Sequence, residues 1–421
     1  MKYFSLAGIL LVVFLTGSCA SYPANVSGEG RLIPDDFAGI VHAGWTRSQE
    51  EYNHLEYLGA KWILHTFSWS SIEPNQGEWD FQRYDDLVDT ALASGVKVLG
   101  VLAYDVRWIH DENPSRYIPS DKLPFYLEYV RRTVEHFRGR VDAWCIWNEP
   151  NTTRFWTGTN EGFFELTRQA ADVVKETDSG VILLGGAVNR GYFGLPEKFI
   201  RGLFESGAMD KVDGVAFHPY ELNPARSLTL YEKFRKIVSD YGFEDKIWIT
   251  EAGYPTGGRY PTKINEKRFP EYVVKTWINL AAAGSNMLLW YQMFDPVERD
   301  KDDSEDFFGL VRSNRDYTSK GAEAFRLCAQ YLSGSICYTQ IPRQYTPDSL
   351  PGSINTYWFE SSSGGALVLW NNGAGSAQVN MRLPGTNHTM HDIVTGSTSP
   401  ISTPIAVTRV PVFITWQGAN E

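Results

Sequence analysis

Positive charge is in short supply in this sequence. Its 421 residues include 39 Lys and Arg against 50 Asp and Glu, which gives a net charge of −11 at pH 7. Proteins that bind nucleic acid need basic patches or stripes on their surface. The charge balance therefore argues against nucleic acid as a partner.

Cysteine is also scarce, with 4 residues in the whole chain. Cys328 and Cys337 flank a Ser-Gly-Ser turn at 333–335 and could pair in an oxidising compartment. Cys145 lies within an apolar run, where a cysteine is most often an inert packing residue. The fourth, Cys19, belongs to a different kind of segment.

The first apolar run, residues 3–15, is too short to cross a bilayer. It follows Met1-Lys2 and has the pattern of a signal peptide. Small residues then lead to Cys19, and this resembles a bacterial lipoprotein cleavage box, although Thr16 stands where leucine is usual. We predict a signal peptide at 1–19, a lipid anchor on Cys19 and a flexible linker at 20–35. Ordinary cleavage nearby is the alternative. Either route exports the chain from a bacterial cell, to the periplasm or the cell surface.

Aromatic residues, in contrast, are plentiful. The chain has 14 Trp, 22 Tyr and 23 Phe, together 14% of its residues. Aromatic faces stack on the apolar faces of sugar rings, so the surplus fits a groove that handles carbohydrate. A large aromatic core explains it equally well.

From about residue 36, short apolar runs alternate with longer amphipathic stretches, which is typical of βα units. Eight strands and eight helical segments over about 300 residues predict a (β/α)8 barrel at 36–335. The predicted strands are 38–42, 61–67, 97–102, 142–147, 181–185, 212–218, 246–251 and 287–293. After that the helical period disappears, and short apolar runs between Gly, Pro and Asn turns predict an all-β sandwich at 336–421. The predicted fold class is therefore α/β with a C-terminal all-β domain.

Two glutamates end predicted barrel strands, each close to a proline that stops the strand. Glu149 follows the fourth strand and Glu251 ends the seventh. Active sites of such barrels lie at the carboxyl ends of the strands, so we expect these two carboxylates to face each other across the mouth. A pair of carboxyl groups is what cleavage of a glycosidic bond requires. The alternative is that both are structural acids held in ion pairs.

The segment Trp-Asn-Glu-Pro-Asn at 147–151 resembles the acid/base segment of clan A glycoside hydrolases. Together with the segments at 67–74, 212–220, 249–251 and 308–311, it is most similar to family 39, which includes β-xylosidases and bacterial exopolysaccharide hydrolases. The resemblance implies that Glu149 is the acid/base and Glu251 the nucleophile of a retaining β-glycosidase. It also implies that Asn148 binds the 2-hydroxyl of the sugar and that Tyr220 donates a hydrogen bond to Glu251.

Further residues are expected to bind substrate. His218 shares a strand face with Tyr220 and is expected to bound the same subsite. Trp290, on the eighth strand, is expected to be the stacking platform, unless it is a plain core residue. His42 and Tyr104, at the ends of strands one and three, are expected to line the cleft, and Trp69 to add a stacking surface, with ordinary packing as the alternative for each.

The sequence departs from the family pattern in one respect that bears on the chemistry. The clan usually carries an arginine on strand two near the nucleophile, and here the matching position is Leu64 or His65. The acidic segment 298–306 lacks the glycine turn of a calcium loop, and solvated charge is the usual outcome of such a run. We therefore expect no metal and no cofactor.

The predicted activity is endo-action on a β-linked polysaccharide or oligosaccharide. The alternatives are an exo-acting β-xylosidase-like enzyme and a non-hydrolytic glycan-binding lipoprotein.

Overall fold

The computed structural model describes residues 30–41, 49–110, 116–190, 194–259, 263–312, 317, 321–347 and 349–418. The predicted signal peptide, Cys19, most of the linker and His42 lie outside the described residues. Within the described ranges, no helix is long and apolar enough to cross a membrane.

Eight parallel strands close into a barrel, in which each pairs with its neighbour along the chain and the last pairs with the first. After a short first strand, β1 (Arg31–Leu32), the barrel strands are β2 (Ala38–Val41), β3 (Trp62–Ser68), β4 (Lys97–Ala103), β5 (Ala143–Ile146), β6 (Ile182–Asn189), β7 (Gly214–His218), β8 (Ile247–Ala252) and β9 (Met287–Tyr291). The predicted barrel is confirmed.

Helices surround the barrel because the strands are apolar on both faces and must be covered on the outside. The α-helices are α1 (Gln49–Leu58), α2 (Trp69–Ile72), α3 (Gln82–Ala93), α4 (Leu123–His136), α5 (Asn160–Thr177), α6 (Glu197–Glu205), α7 (Pro224–Ser239), α8 (Phe269–Ala283) and α9 (Ala322–Leu332). Local chemistry marks their ends. The side chain of Thr159 caps α5 by accepting from the Gly162 amide, and Gly284, at φ 110°, ends α8 in the left-handed conformation.

The C-terminal region is antiparallel β structure. Its strands are β10 (Ile336–Tyr338), β11 (Ile354–Ser361), β12 (Gly364–Asn371), β13 (Ala377–Val379), β14 (Thr386–His391), β15 (Thr398–Pro400), β16 (Ile405–Val407) and β17 (Val412–Gln417). They form a seven-stranded sheet in the order β1-β10-β11-β12-β17-β14-β15 and a separate ribbon of β13 with β16. The predicted all-β C-terminal region is therefore present.

The sheet packs against the outer helices of the barrel. The hydroxyl of Tyr357 donates to Asn279 Oδ1 of α8 at 3.0 Å, and Arg409 forms an ion pair with Glu271 at 3.3 Å. One end of the predicted linker is not a linker: Arg31–Leu32 adds strand β1 to the edge of this sheet by pairing with β10. A strand of two residues has no readable period, so β1 could not be predicted from the sequence.

The disulfide that the sequence allows between Cys328 and Cys337 is not formed. Cys145, Cys328 and Cys337 are all free and buried. Cys328 packs within α9 and Cys337 within β10 as small apolar side chains, and burial raises the pKa of both thiols.

Candidate active site

The two strand-end glutamates meet at the mouth of the barrel. Glu149 follows β5 and Glu251 lies in β8. A carboxylate oxygen of Glu149 lies within 4.8 Å of a carboxylate oxygen of Glu251. Glu149 is 8% exposed and Glu251 is partly buried. The parallel register brings the carboxyl ends of β5 and β8 to the same rim, so 102 residues of chain separate two groups that are neighbours in space.

His218 lies between the two carboxylates. Its Nδ1 is 2.8 Å from Glu149 Oε1 and 3.6 Å from Glu251 Oε2, and its Nε2 is 2.9 Å from the hydroxyl of Thr250. At 1% exposure the ring is closed to solvent. His218 therefore contacts the carboxylates on their buried side. The sequence had predicted instead that it forms part of the wall of the sugar subsite.

The electrostatics of Glu251 are unusual for a surface carboxylate. Burial raises its pKa to about 7, and the charge of Glu149 adds to this, while His218 and a hydrogen bond from Tyr220 act in the opposite direction. Burial alone would lower the pKa of His218, but the charges of Glu251 and Glu149 raise it above its ordinary value. The charges of Glu251 and His218 therefore each favour the ionised form of the other.

The hydrogen bond predicted between Tyr220 and Glu251 is present. The Tyr220 hydroxyl donates to Glu251 Oε2 at 2.9 Å. Because a donor to the ionised form favours that form, this contact helps to keep Glu251 charged against the effect of burial.

Asn189 is a site residue that the sequence reading missed. Its side-chain amide donates to Glu149 Oε1 at 2.6 Å. The predicted fifth strand stopped at Gly185, where two glycines interrupt the apolar run. In the structure β6 continues to Asn189 through an irregular register between Gly185 and Val188. The polar Asn189, at the true end of the strand, was the available signal.

The backbone around Glu149 is held in a sparsely populated conformation. Trp147 and Glu149 have φ values of 65° and 44°, in the left-handed region that non-glycine residues rarely adopt. The Glu149 amide donates to the carbonyl of Ala187 at 3.1 Å, which ties the segment to β6. Strain of this kind, maintained by surrounding contacts, is concentrated at functional sites.

Asn148 and Tyr104 lie next to the carboxylates and are partly exposed, as a cleft-lining role requires. A hydrogen bond joins the two side chains, and burial, together with the charges of Glu251 and Glu149, raises the pKa of Tyr104. The Tyr104 ring is stacked on Phe155, with centroids 5.8 Å apart.

Two predicted stacking residues do not reach the cleft. Trp290 is 0% exposed and packs against Phe269 of α8 and Tyr254, so it lies between the barrel and its helices. Trp69 is also fully buried, stacked on Tyr129, with its indole N–H donating to Glu73. Both are core residues, and neither can be a platform for a sugar ring.

The next residue on β9, Tyr291, lies on the side of the strand where Trp290 was expected. Tyr291 is partly exposed and packs edge-on against Tyr220 and Phe308, with centroids 6.5 and 5.3 Å away. Successive side chains of a strand point to opposite faces. An error of one residue in choosing the site residue therefore selects a residue of the core.

The absence of the strand-two arginine is clear in the structure. Trp62 of β3 meets Trp248 of β8 inside the barrel, and His65 lies near Tyr84 of α3 on the outside. By alternation, Leu64 faces the interior, where the arginine would have been. His218 and Tyr220 are the groups that favour the ionised form of Glu251.

Glu149, His218 and Glu251 also form a group that could hold a metal ion, judged within the described part of the chain. These side chains already have hydrogen-bond partners: His218 bonds to Glu149 and Thr250, Asn189 donates to Glu149, and Tyr220 donates to Glu251. Hydrogen-bonded acids of this kind suit the transfer of protons.

Sequence comparisons point in the same direction as this geometry. Residues 43–104 match the model of a β-galactosidase family of glycoside hydrolases. The chain is 27% identical to endo-1,4-beta-xylanase B of Thermotoga neapolitana over 208 residues, which are 45% of this chain and 57% of that protein. It is 32% identical to a beta-1,4-xylanase of Dictyoglomus thermophilum over 150 residues, 34% of this chain and 42% of that one. The aligned parts thus span about half the length of these curated relatives.

Solved structures extend the likeness to the whole fold. A family 39 glycoside hydrolase from the gut symbiont Bacteroides cellulosilyticus WH2 superposes with a TM-score of 0.71 at 19% identity, over 91% of this chain and 81% of that one. A family 39 β-xylosidase from Caulobacter crescentus gives 0.65 at 15% identity, over 92% and 98%. The predicted resemblance is confirmed: the chain has the two-domain fold of the family 39, clan A glycoside hydrolases, and the proteins it is similar to are glycoside hydrolases.

Proposed function

We propose that this protein is a retaining β-glycoside hydrolase that works by double displacement. The observation that carries the proposal is the approach of Glu149 and Glu251 to within 4.8 Å, oxygen to oxygen. Retaining enzymes hold their two carboxyl groups about 5–5.5 Å apart, whereas inverting enzymes leave about 6.5–9.5 Å for a water molecule.

Each side chain has a place in that reaction. Glu149 gives its proton to the leaving oxygen while Glu251 attacks the anomeric carbon and forms a covalent glycosyl-enzyme. Glu149, now ionised, then takes a proton from the water that releases the sugar. Asn148 binds the 2-hydroxyl, where a hydrogen bond strengthens at the transition state, and Tyr291 packs against the ring.

For the substrate we propose a β-linked polysaccharide that is cleaved internally, and β-1,4-xylan is the first to test. The similar proteins from Thermotoga and Dictyoglomus are named as xylanases, the former as an endo-enzyme. Exo-action is the second candidate, favoured by the similarity to the Caulobacter β-xylosidase.

The deciding experiment is the release of new reducing ends from a panel of β-linked polysaccharides. Oligosaccharide ladders from the wild type, with none from Glu251→Gln, support endo-hydrolysis. Release of monosaccharide alone supports exo-action. Equal product from both proteins contradicts the proposal.

Leu64 favours one further candidate, a non-hydrolytic glycan-binding protein, because the charge that usually supports the nucleophile is missing. That candidate predicts equal glycan affinity in the wild type and in a Glu149→Gln, Glu251→Gln double variant, with no new reducing ends. We also propose export with a lipid anchor on Cys19, which is tested by metabolic labelling with a fatty acid in the wild type and in Cys19→Ala.

A further inference from the structure

An ion pair spans the mouth of the barrel outside the two catalytic carboxylates. Arg154, in the segment between β5 and α5, places its Nη1 3.3 Å from Oε1 of Glu305. Glu305 belongs to the short helical turn Ser304–Phe307, which follows β9. The loops that follow the fourth and the eighth barrel strands are therefore connected.

Glu305 also holds the residue that replaces the predicted tryptophan. Its second oxygen, Oε2, accepts from the hydroxyl of Tyr291 at 3.0 Å. Its backbone carbonyl accepts from the side-chain amide of Gln292, also at 3.0 Å. The Glu305 carboxylate thus bonds to Arg154 with one oxygen and to Tyr291 with the other.

Hydrogen bonds and an ion pair hold the segment that carries Glu305 in this position. Its acidic side chains mostly cap backbone amides within the segment: Asp303 accepts from the Glu305 amide at 3.0 Å, and Asp306 from the Asp300 amide at 2.7 Å. Asp302 pairs with Arg259 at 2.8 Å. The acidic run is therefore a self-capped loop whose shape fixes where the Glu305 carboxylate points.

Tyr291 is connected to the nucleophile through Tyr220. Its ring packs edge-on against Tyr220, whose hydroxyl donates to Glu251. Phe308 packs edge-on against both tyrosine rings. Arg154, Glu305, Tyr291, Tyr220 and Glu251 thus form an unbroken series of contacts from the rim to the reacting carboxylate.

We propose that Glu305, held by Arg154, is a positioning residue that fixes the hydroxyl and ring of Tyr291 against the sugar subsite. The inference rests on the proposed function. An exposed ion pair contributes little to stability, and Glu305 is 42% exposed, so its effect is on geometry. A ring tethered at its hydroxyl loses little further freedom when substrate binds, which favours affinity.

A test that needs no substrate comes first. With tyrosine labelled by ¹³C at Cζ, the Tyr291 resonance is identified by its loss in Tyr291→Phe. Replacing Glu305 by Ala removes the hydrogen bond, and the resonance is expected to move. The matched control is Glu298→Gln, an exposed carboxylate of the same loop, which leaves the resonance in place. An unmoved resonance in Glu305→Ala overturns the proposal whether or not the protein is an enzyme.

The kinetic test is a double-mutant cycle on the substrate that the wild type cleaves. Glu305→Ala is expected to raise KM about 10-fold, the scale of a lost hydrogen bond to a charged group, and to change kcat less. Because Glu305 acts through the Tyr291 hydroxyl, the same substitution in the Tyr291→Phe background is expected to add less than about 2-fold. Additive effects, or a Glu305→Ala variant that behaves like Glu298→Gln, contradict the proposal. An inactive wild type contradicts the proposed function and leaves the resonance test to decide this one.

Discussion

The mouth of the barrel has an inner and an outer ring of charged groups, and they obey different physics. The inner ring is Glu149, His218 and Glu251, closed to solvent or nearly so, with His218 Nδ1 2.8 Å from Glu149 and 3.6 Å from Glu251. The outer ring is the pair of Arg154 and Glu305, with 65% and 42% of the side chain exposed. In the inner ring, burial changes which protonation form is favoured. In the outer ring, water screens the charges, so the ion pair acts mainly by fixing the positions of its side chains.

The largest expected effect is the loss of an inner carboxylate. Glu251→Gln is expected to lower kcat by at least about 10³-fold, because the nucleophile is gone while the shape of the site is kept. Glu149→Gln is expected to lower kcat about 10²- to 10⁴-fold on substrates whose leaving group needs a proton. Both are measured by initial rates at saturating substrate. Retention of more than a tenth of wild-type kcat by either variant would mean that the inner ring is not the catalytic site.

The next effect is on pH dependence. Since Glu251 must be ionised to attack and its pKa is raised to about 7, kcat/KM is expected to rise as pH increases through this region. His218 lowers the pKa of Glu251, so His218→Gln is expected to move the rise to higher pH and to lower kcat about 10-fold. The measurement is a pH profile of kcat/KM for both proteins, and an unshifted profile in the variant contradicts the coupling.

The same raised pKa makes a prediction about stability. A carboxyl whose folded pKa lies above its unfolded value stabilises the fold at low pH, and that contribution is lost as pH rises through the folded pKa. His218, whose pKa is also raised, loses its contribution in the same direction. Glu251→Gln is therefore expected to raise the free energy of unfolding relative to wild type at about pH 8, on the order of a few kcal/mol, and less at about pH 5. Equal effects at both pH values, measured by denaturant unfolding, would show that Glu251 is not desolvated.

A smaller effect separates the two neighbours on β9. Tyr291→Ala is expected to raise KM about 10-fold, because it removes the partly exposed ring at the subsite. Trp290→Phe is expected to change KM less than about 2-fold and to lower stability instead, by about 1–3 kcal/mol, since it changes a packed core. If Trp290→Phe raised KM and Tyr291→Ala did not, the assignment of the platform to Tyr291 would be reversed.

The smallest effect on stability is expected in the outer ring. Arg154→Gln is expected to lower the free energy of unfolding by no more than about 1 kcal/mol, as is usual for exposed ion pairs. Thermal or denaturant unfolding of Arg154→Gln beside His218→Gln makes the comparison directly. A loss for Arg154→Gln as large as that for His218→Gln would remove the distinction between the rings.

The inner ring was open to prediction from the sequence because strand ends determine it. Once the apolar runs at 142–147 and 246–251 are recognised as parallel strands, Glu149 and Glu251 must reach the same rim. The error at Trp290 has the same origin, since the run 287–293 is apolar throughout and does not show which residues face inward. Asn189 was missed because an irregular register carries β6 beyond its two glycines.

The outer ring was beyond prediction. Arg154 and Glu305 are 151 residues apart in loops, and nothing periodic in either loop indicates that they touch. The buried place of His218 between two carboxylates likewise depends on how three strands are arranged around the barrel. A sequence pattern indicates which face of a strand a side chain lies on. The distances between side chains across the mouth are known only once the barrel is closed.

Azide rescue of the two alanine variants tests the central assignment most directly, with aryl β-glycosides that the wild type hydrolyses as substrates. In Glu149→Ala the nucleophile remains, so azide should intercept the glycosyl-enzyme and give the β-glycosyl azide. In Glu251→Ala azide should attack the sugar directly from the opposite face and give the α-glycosyl azide. These two anomers, read by NMR, are the expected result. The opposite pairing, or rescue of neither variant, would contradict the roles assigned to Glu149 and Glu251.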